Sequence, residues 1–163
     1  MKTLLIVFHS RTGGAQQMAQ AAARGAGGEL DVRTNLVTAQ LARPHDILDA
    51  DGVIYACPEN LAAMSGEMKA FFDGCYYPLL DRVAGKPYAL MVCAGSDGEG
   101  AVRQMQRIIT GWRMRAVAEP VIVITGAQTP EAILAAKTLT PEQLEPCEAL
   151  GAAFTAGISL GVF

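Results

Sequence analysis

Leu4-Leu5-Ile6-Val7-Phe8 is an unbroken apolar run, and it constrains the fold more than any other feature of the chain. A strand with one face in water alternates apolar and polar residues. A run without alternation belongs to a strand covered on both faces, which is the signature of a parallel sheet sandwiched by helices. The same pattern returns at Gly52 to Cys57, where Pro58 stops it, at Pro87 to Cys93, and at Val121 to Ile124. Leu30 to Val37 alternates loosely and reads as a second strand.

Helical segments fall between these runs. Ala15 to about Arg24 is rich in alanine and glutamine, and Gly25, Gly27 and Gly28 end it. Pro44 to Ala50 has room for a short helix. Ser65 to Leu80 places Met68, Phe71, Phe72 and Cys75 at helical spacing, and Ala101 to Trp112 does so with Val102, Met105, Ile108, Ile109 and Trp112. Thr140-Pro141-Glu142-Gln143 is a capping box with proline at the first helical position, opening a last helix toward Leu160 with Pro146 as a point of bending. Gly126 to Lys137 is irregular, with room for a short helix. Five strands alternating with helices imply an α/β fold with helices on both faces of a parallel sheet, in a single domain over residues 1–163.

Composition removes several function classes. The net charge of −3 speaks against nucleic acid, which needs a concentrated basic surface. Cys57, Cys75, Cys93 and Cys147 show no CxxC spacing, so reduced thiols in a cytoplasmic protein are the simplest reading. The first apolar run is too short for a secretory leader. Ala149 to Phe163 carries no charge but falls short of the roughly 18 residues that span a bilayer. A buried or interface-forming helix accounts for it better. No His, Cys and carboxylate cluster has metal-ligand spacing, and no nucleophile–base pair stands out.

In an open α/β sheet, ligands bind beyond the carboxyl ends of the strands. Three strand-end loops here carry unusual chemistry. The first, Ser10-Arg11-Thr12-Gly13-Gly14-Ala15, has two hydroxyls, two glycines and a helix start, the parts of an anion cradle. It lacks the lysine of a nucleotide P-loop and the spacing of GxGxxG, so a monophosphate suits it better than a triphosphate or dinucleotide. The residues alone fit either that cradle or an ordinary strand-to-helix turn. Arg11 either adds a charge-assisted contact or points to solvent.

With the other two loops, the pattern resembles the flavodoxin-like family, in particular the NAD(P)H-dependent FMN reductases and quinone reductases. The resemblance rests on His9 to Gly14, on Pro58-Glu59-Asn60 with Met64 to Asp73, and on Ala94-Gly95-Ser96-Asp97-Gly98. It implies a three-layer sandwich with strand order 2-1-3-4-5. It further implies that Ser10, Thr12, Gly13 and Gly14 hold the FMN phosphate, that Pro58, Glu59, Asn60 and Leu61 lie along the flavin ring, and that Ala94, Gly95, Ser96, Asp97 and Gly98 offer backbone groups at its pyrimidine end. NAD(P)H as donor and a quinone or other small molecule as acceptor follow from the same resemblance. Two departures stand out. Ala15 replaces a common hydroxyl, and Leu61-Ala62-Ala63 replaces common aromatics, which fits either weak FMN binding or a flavin open to a stacked nicotinamide.

Other readings compete. A flavodoxin-type electron carrier is usually strongly acidic and shields its flavin with aromatics, and this chain shows neither feature. A scaffold that has lost its cofactor is a third possibility. Among single residues, Cys57 and Cys93 read as structural thiols more readily than as a redox pair. His9 either caps the first loop or touches the ligand. Asp73 caps or packs its own helix, and Asp97 and Glu99 belong to a solvated loop. Tyr76 and Tyr77 form a packing pair or, with the last helix, part of a homo-oligomer contact reaching a neighbour's site.

Overall fold

The computed structural model describes residues 1–163. Strand β1 (Lys2–Phe8) lies between β2 (Val32–Thr38), at the edge, and β3 (Gly52–Asn60), all parallel. Strand β4 (Ala63–Met64) folds back on the end of β3, and β5 (Pro87–Ala94) pairs with β3 on its far side. The outer edge comes in two pieces, β6 (Arg115–Ala116) against the start of β5 and β7 (Val121–Ile124) against its end. Pro120, which has no N–H to give, falls in the gap between them. The long strands thus run in the expected order 2-1-3-4-5, with β5 and β7 in the fourth and fifth places.

Period-two alternation divides the core by face. Leu5, Val7, Val53, Tyr55, Cys57, Leu90 and Val92 point to one side, where α2 (Pro44–Asp49), α3 (Gly66–Leu79) and α4 (Glu99–Gly111) cover them. Leu4, Ile6, Ile54, Ala56, Met91 and Cys93 point to the other, under α1 (Gly14–Ala26) and α6 (Pro141–Leu160). Cys57 and Cys93 therefore lie on opposite faces, which rules out a redox pair. Cys57 is packed against Met105, and burial pushes its thiol up to about 12.

Three boundaries depart from expectation for physical reasons. Helix α1 runs on through Gly25, which is a contact residue and not a stop: a Cβ there would overlap the Glu148 carbonyl of α6. Gly151 of α6 meets the Ala22 carbonyl of α1 in the same way. Strand β2 begins at Val32 and not at Leu30, whose side chain is exposed. Strand β3 passes through Pro58 to Asn60. His9 N–H donates to the Ala56 carbonyl, so Ala56 and Pro58 both face the β1 side. There β1 has already ended, and the missing N–H of Pro58 breaks no ladder bond.

Helix α6 continues unbroken through Pro146, and its capping box forms as expected, with Thr140 and Gln143 exchanging hydrogen bonds. Its apolar side is spent against α1, and the small residues Ala152 and Ala153 face outward. No helix is long and apolar enough to cross a membrane. The irregular stretch holds the short helix α5 (Pro130–Leu134).

Candidate functional site

The carboxyl ends of β1, β3, β5 and β7 surround a cavity of about 290 Å³. Of the residues expected from sequence, Ser10, Arg11, Thr12, Gly14, Ala15, Pro58, Glu59, Asn60, Leu61, Ala94, Gly95 and Ser96 line it. Gly13, Asp97 and Gly98 do not. Gly13 and Gly98 instead serve the turns into α1 and α4, each with positive φ, +99° and +91°.

At the first loop, Gly13 N–H donates to Ser10 Oγ at 3.1 Å, which curls the loop back on itself. The amides of Arg11, Thr12, Gly14, Ala15 and Gln16 find no acceptor within the protein. Such a row of free N–H groups at a helix N-terminus is a ready anion site. Gly14 is required by space, because a Cβ would overlap Cys93 Sγ, which forms the floor below. Burial raises the Cys93 thiol, so it sits there neutral.

The second loop is a hairpin. Glu59 pairs with Met64 and Asn60 with Ala63, leaving Leu61 and Ala62 as the two turn residues. Both have positive φ, 51° and 62°, a turn geometry that ordinarily selects Asn-Gly. Leu61 is fully exposed at the rim. The Glu59 carboxylate is turned away toward α4, where it accepts from Gly98 N–H at 2.9 Å and Ala101 N–H at 3.1 Å. In the third loop, the amides of Gly95, Ser96 and Asp97 have no protein acceptor.

A fourth wall was missed in the sequence. Thr125, Ala127, Ile133 and Lys137 line the cavity from the segment after β7. Lys137 N–H donates to the Thr12 carbonyl at 2.7 Å, and Gln17 Nε2 bridges the Gly13 and Lys137 carbonyls. Gly126 N–H donates to the Gly95 carbonyl at 2.9 Å. The available signal was position alone, since this segment leaves the end of a strand as the other three loops do. No aromatic side chain lines any wall.

His9 belongs to none of the walls. Its Nδ1 is 2.8 Å from Ser65 Oγ at the start of α3, its Nε2 is 3.5 Å from Glu67, and desolvation lowers its pKa. Tyr76 stacks on Trp112 at the far end of α3, away from the cavity, and Tyr77 beside it is exposed. Asp73 pairs with Lys69 one turn back on α3.

Residues 1–129 match the NADPH-dependent FMN reductase family. The chain belongs to that family. Among named relatives, a flavodoxin of Aquifex aeolicus is 30% identical over 110 residues, covering 68% of this chain and 60% of that protein. An NAD(P)H dehydrogenase (quinone) of Archaeoglobus fulgidus is 30% identical, over 45% of this chain and 51% of that protein. The chain therefore spans little more than half the length of these relatives. A solved archaeal flavodoxin covers 96% of this chain with a TM-score of 0.78 at 18% identity. A WrbA-like flavodoxin of Agrobacterium tumefaciens covers 98%, with a TM-score of 0.77 at 16% identity. The fold is flavodoxin-like.

Proposed function

We propose that residues 1–163 act as one flavodoxin-like domain of a cytoplasmic oxidoreductase that holds FMN in this cavity and passes hydride from NAD(P)H to a quinone or other small acceptor. The observation that carries the reading is the set of unpartnered amides of Arg11, Thr12, Gly14, Ala15 and Gln16 at the start of α1. A phosphate monoester satisfies them without a lysine, and the Ser10 and Thr12 hydroxyls add donors. Family membership and the quinone dehydrogenase relatives support the same assignment. The four free cysteines support a reducing compartment.

The bound flavin supplies the hydride chemistry. The chain binds, orients and leaves access. The free amides of Gly95 and Ser96 would face negative charge on a ring held between the second and third loops. With no aromatic side chain in the walls, a ring held there would stay open to a flat nicotinamide and then to an acceptor in the same place. The test is a visible spectrum of the protein titrated with FMN, followed by anaerobic NADH or NADPH. Uptake followed by bleaching is expected. Uptake without bleaching by either nucleotide sinks the reductase reading.

The flavodoxin relative favours a second reading, an electron carrier. A redox titration separates the two, since a carrier takes its electrons in two resolved one-electron steps. A homo-oligomer is also part of the proposal, resting on exposed Tyr77 and not on α6, and sedimentation velocity reads it.

A further inference from the structure

The hairpin wall and the third loop come from different parts of the chain, yet one side chain joins them. Glu59 stands at the base of the hairpin, and its two carboxylate oxygens each take one amide at the start of α4, from Gly98 and Ala101. Two further contacts bind the same elements. Gln104 Oε1 accepts from Met64 N–H at 3.0 Å, and Gly100 lies so close to the Ala62 carbonyl that any Cβ would overlap it. The arrangement is charge-assisted on both arms and sits at the positive end of the α4 dipole.

What the clamp fixes lies immediately upstream. Gly95, Ser96 and Asp97 carry amides with no acceptor in the protein, and Gly98 is the residue through which the chain turns into α4. The loop is held at two points: at its start Gly126 N–H donates to the Gly95 carbonyl, and at its end Gly98 is anchored on Glu59. Only the second anchor refers those amides to the opposite wall.

We propose that Glu59 is a positioning residue: it acts through Gly98 and Ala101, not by touching the ligand, and it presets the spacing between the hairpin wall and the free amides of the third loop before a flat ring enters. The proposal rests on the FMN reading for the identity of that ring. Preset donors need no rearrangement on binding, which is where affinity and tuning of the bound ring arise.

The experiment compares Glu59→Gln with Glu99→Gln. Both remove one negative charge at the start of α4, and Glu99 is exposed and makes no side-chain hydrogen bond. Gln104→Ala removes the second leg of the clamp from the surface, and it carries the test if Glu59→Gln does not fold. In the ligand-free protein, the amide resonances of Gly95, Ser96, Asp97, Leu61 and Ala62 move in Glu59→Gln and Gln104→Ala but not in Glu99→Gln. With FMN, Glu59→Gln weakens binding about tenfold and shifts the flavin midpoint potential, while Glu99→Gln stays within roughly twofold.

Unmoved resonances in the ligand-free protein overturn the proposal, whatever the wild type binds. Moved resonances with unchanged FMN affinity and potential reduce Glu59 to a helix cap and overturn it as well. If the resonances move as expected but the wild type takes up no FMN, the clamp stands and the FMN reading falls.

Discussion

The two faces of the sheet are built from different materials. The α3/α4 face is aromatic: Tyr55, Phe71, Phe72, Trp112 and Tyr76 form a chain of rings with neighbouring centroids 5.3 to 6.1 Å apart. The α1/α6 face is mostly aliphatic, its one aromatic pair being Phe154 against Phe163 at its edge. Ala15, Ala19, Ala22 and Ala26 pack with Gly25 and Gly151, and the two helices meet through backbone. One face gains its stability from large buried rings and the other from close approach. The chain has ten Phe, Trp and Tyr residues in all, and those rings serve the core and the edges while the cavity receives none. The openness of the site therefore follows from where the aromatic residues went.

The contrast breaks first at Trp112. It is fully buried, lies 5.5 Å from Phe72 and 5.9 Å from Tyr76, and donates from Nε1 to the Tyr76 carbonyl at 2.9 Å. Trp112→Ala removes the ring, leaves a cavity and strands a carbonyl, so it costs about 4 kcal/mol in urea denaturation. A loss below about 1.5 kcal/mol would mean that the face can collapse around the gap.

On the other face, the sensitive change adds an atom. Gly151→Ala presses a methyl into the Ala22 carbonyl, which is backbone and cannot swing aside. Overpacking of this kind costs about 3 kcal/mol, and Gly74→Ala, at a position with open space, is the control. Equal stability of the two variants would show that α1 and α6 part easily, and the idea of stability by close approach would fail.

Most of this division could be read in the chain, and the exceptions share a cause. Buried strands announce themselves by unbroken apolar runs, and the aromatic face by the helical spacing of Phe71, Phe72 and Trp112. Gly25 misled because a glycine that stops a helix and one that admits a neighbouring helix look alike locally, and only the distant Glu148 tells them apart. The turn at Leu61-Ala62 was not legible for a related reason. Neither residue favours positive φ, which costs roughly 1–2 kcal/mol per residue, and the turn is held by contacts from α4 more than 30 residues away. In the site, the loop chemistry at Ser10 and Gly95 was legible because it is local. The wall at Ile133 and Lys137 was not, because its residues line the cavity only through docking on Thr12 and Gly95.

His9 gives a smaller effect at the top of the aromatic face. Burial holds its folded pKa below the ordinary 6.5, and Glu67 offsets part of that depression. The folded protein then binds fewer protons than the unfolded one between the depressed value and 6.5. Stability accordingly falls as pH drops through that window, by at most about 1.4 kcal/mol per pH unit, and is flat above it. Glu67→Gln removes the attraction, lowers the folded pKa further and extends the window downward. Thermal melts across pH 5 to 8 give the slope. A Glu67→Gln protein with the same acid slope as wild type would show that the imidazole is not in electrostatic contact with α3.

Leu61→Tyr returns to the site an aromatic ring of the kind the core holds. Leu61 is fully exposed at the hairpin tip and lines the cavity, so Leu61→Tyr changes one wall without touching either face of the sheet. Both side chains meet the same positive φ, so turn strain cancels in the comparison. A ring stacked on the flavin adds about 1 kcal/mol, which appears as roughly fivefold tighter FMN binding. The same ring occupies the approach of a nicotinamide, so reduction by NAD(P)H slows even as affinity rises. Tighter binding with slower reduction is the outcome that ties the aromatic-free cavity to hydride transfer. Tighter binding with unchanged reduction would leave the missing aromatics as a matter of affinity alone, and the contrast between core and cavity would then say nothing about the reaction.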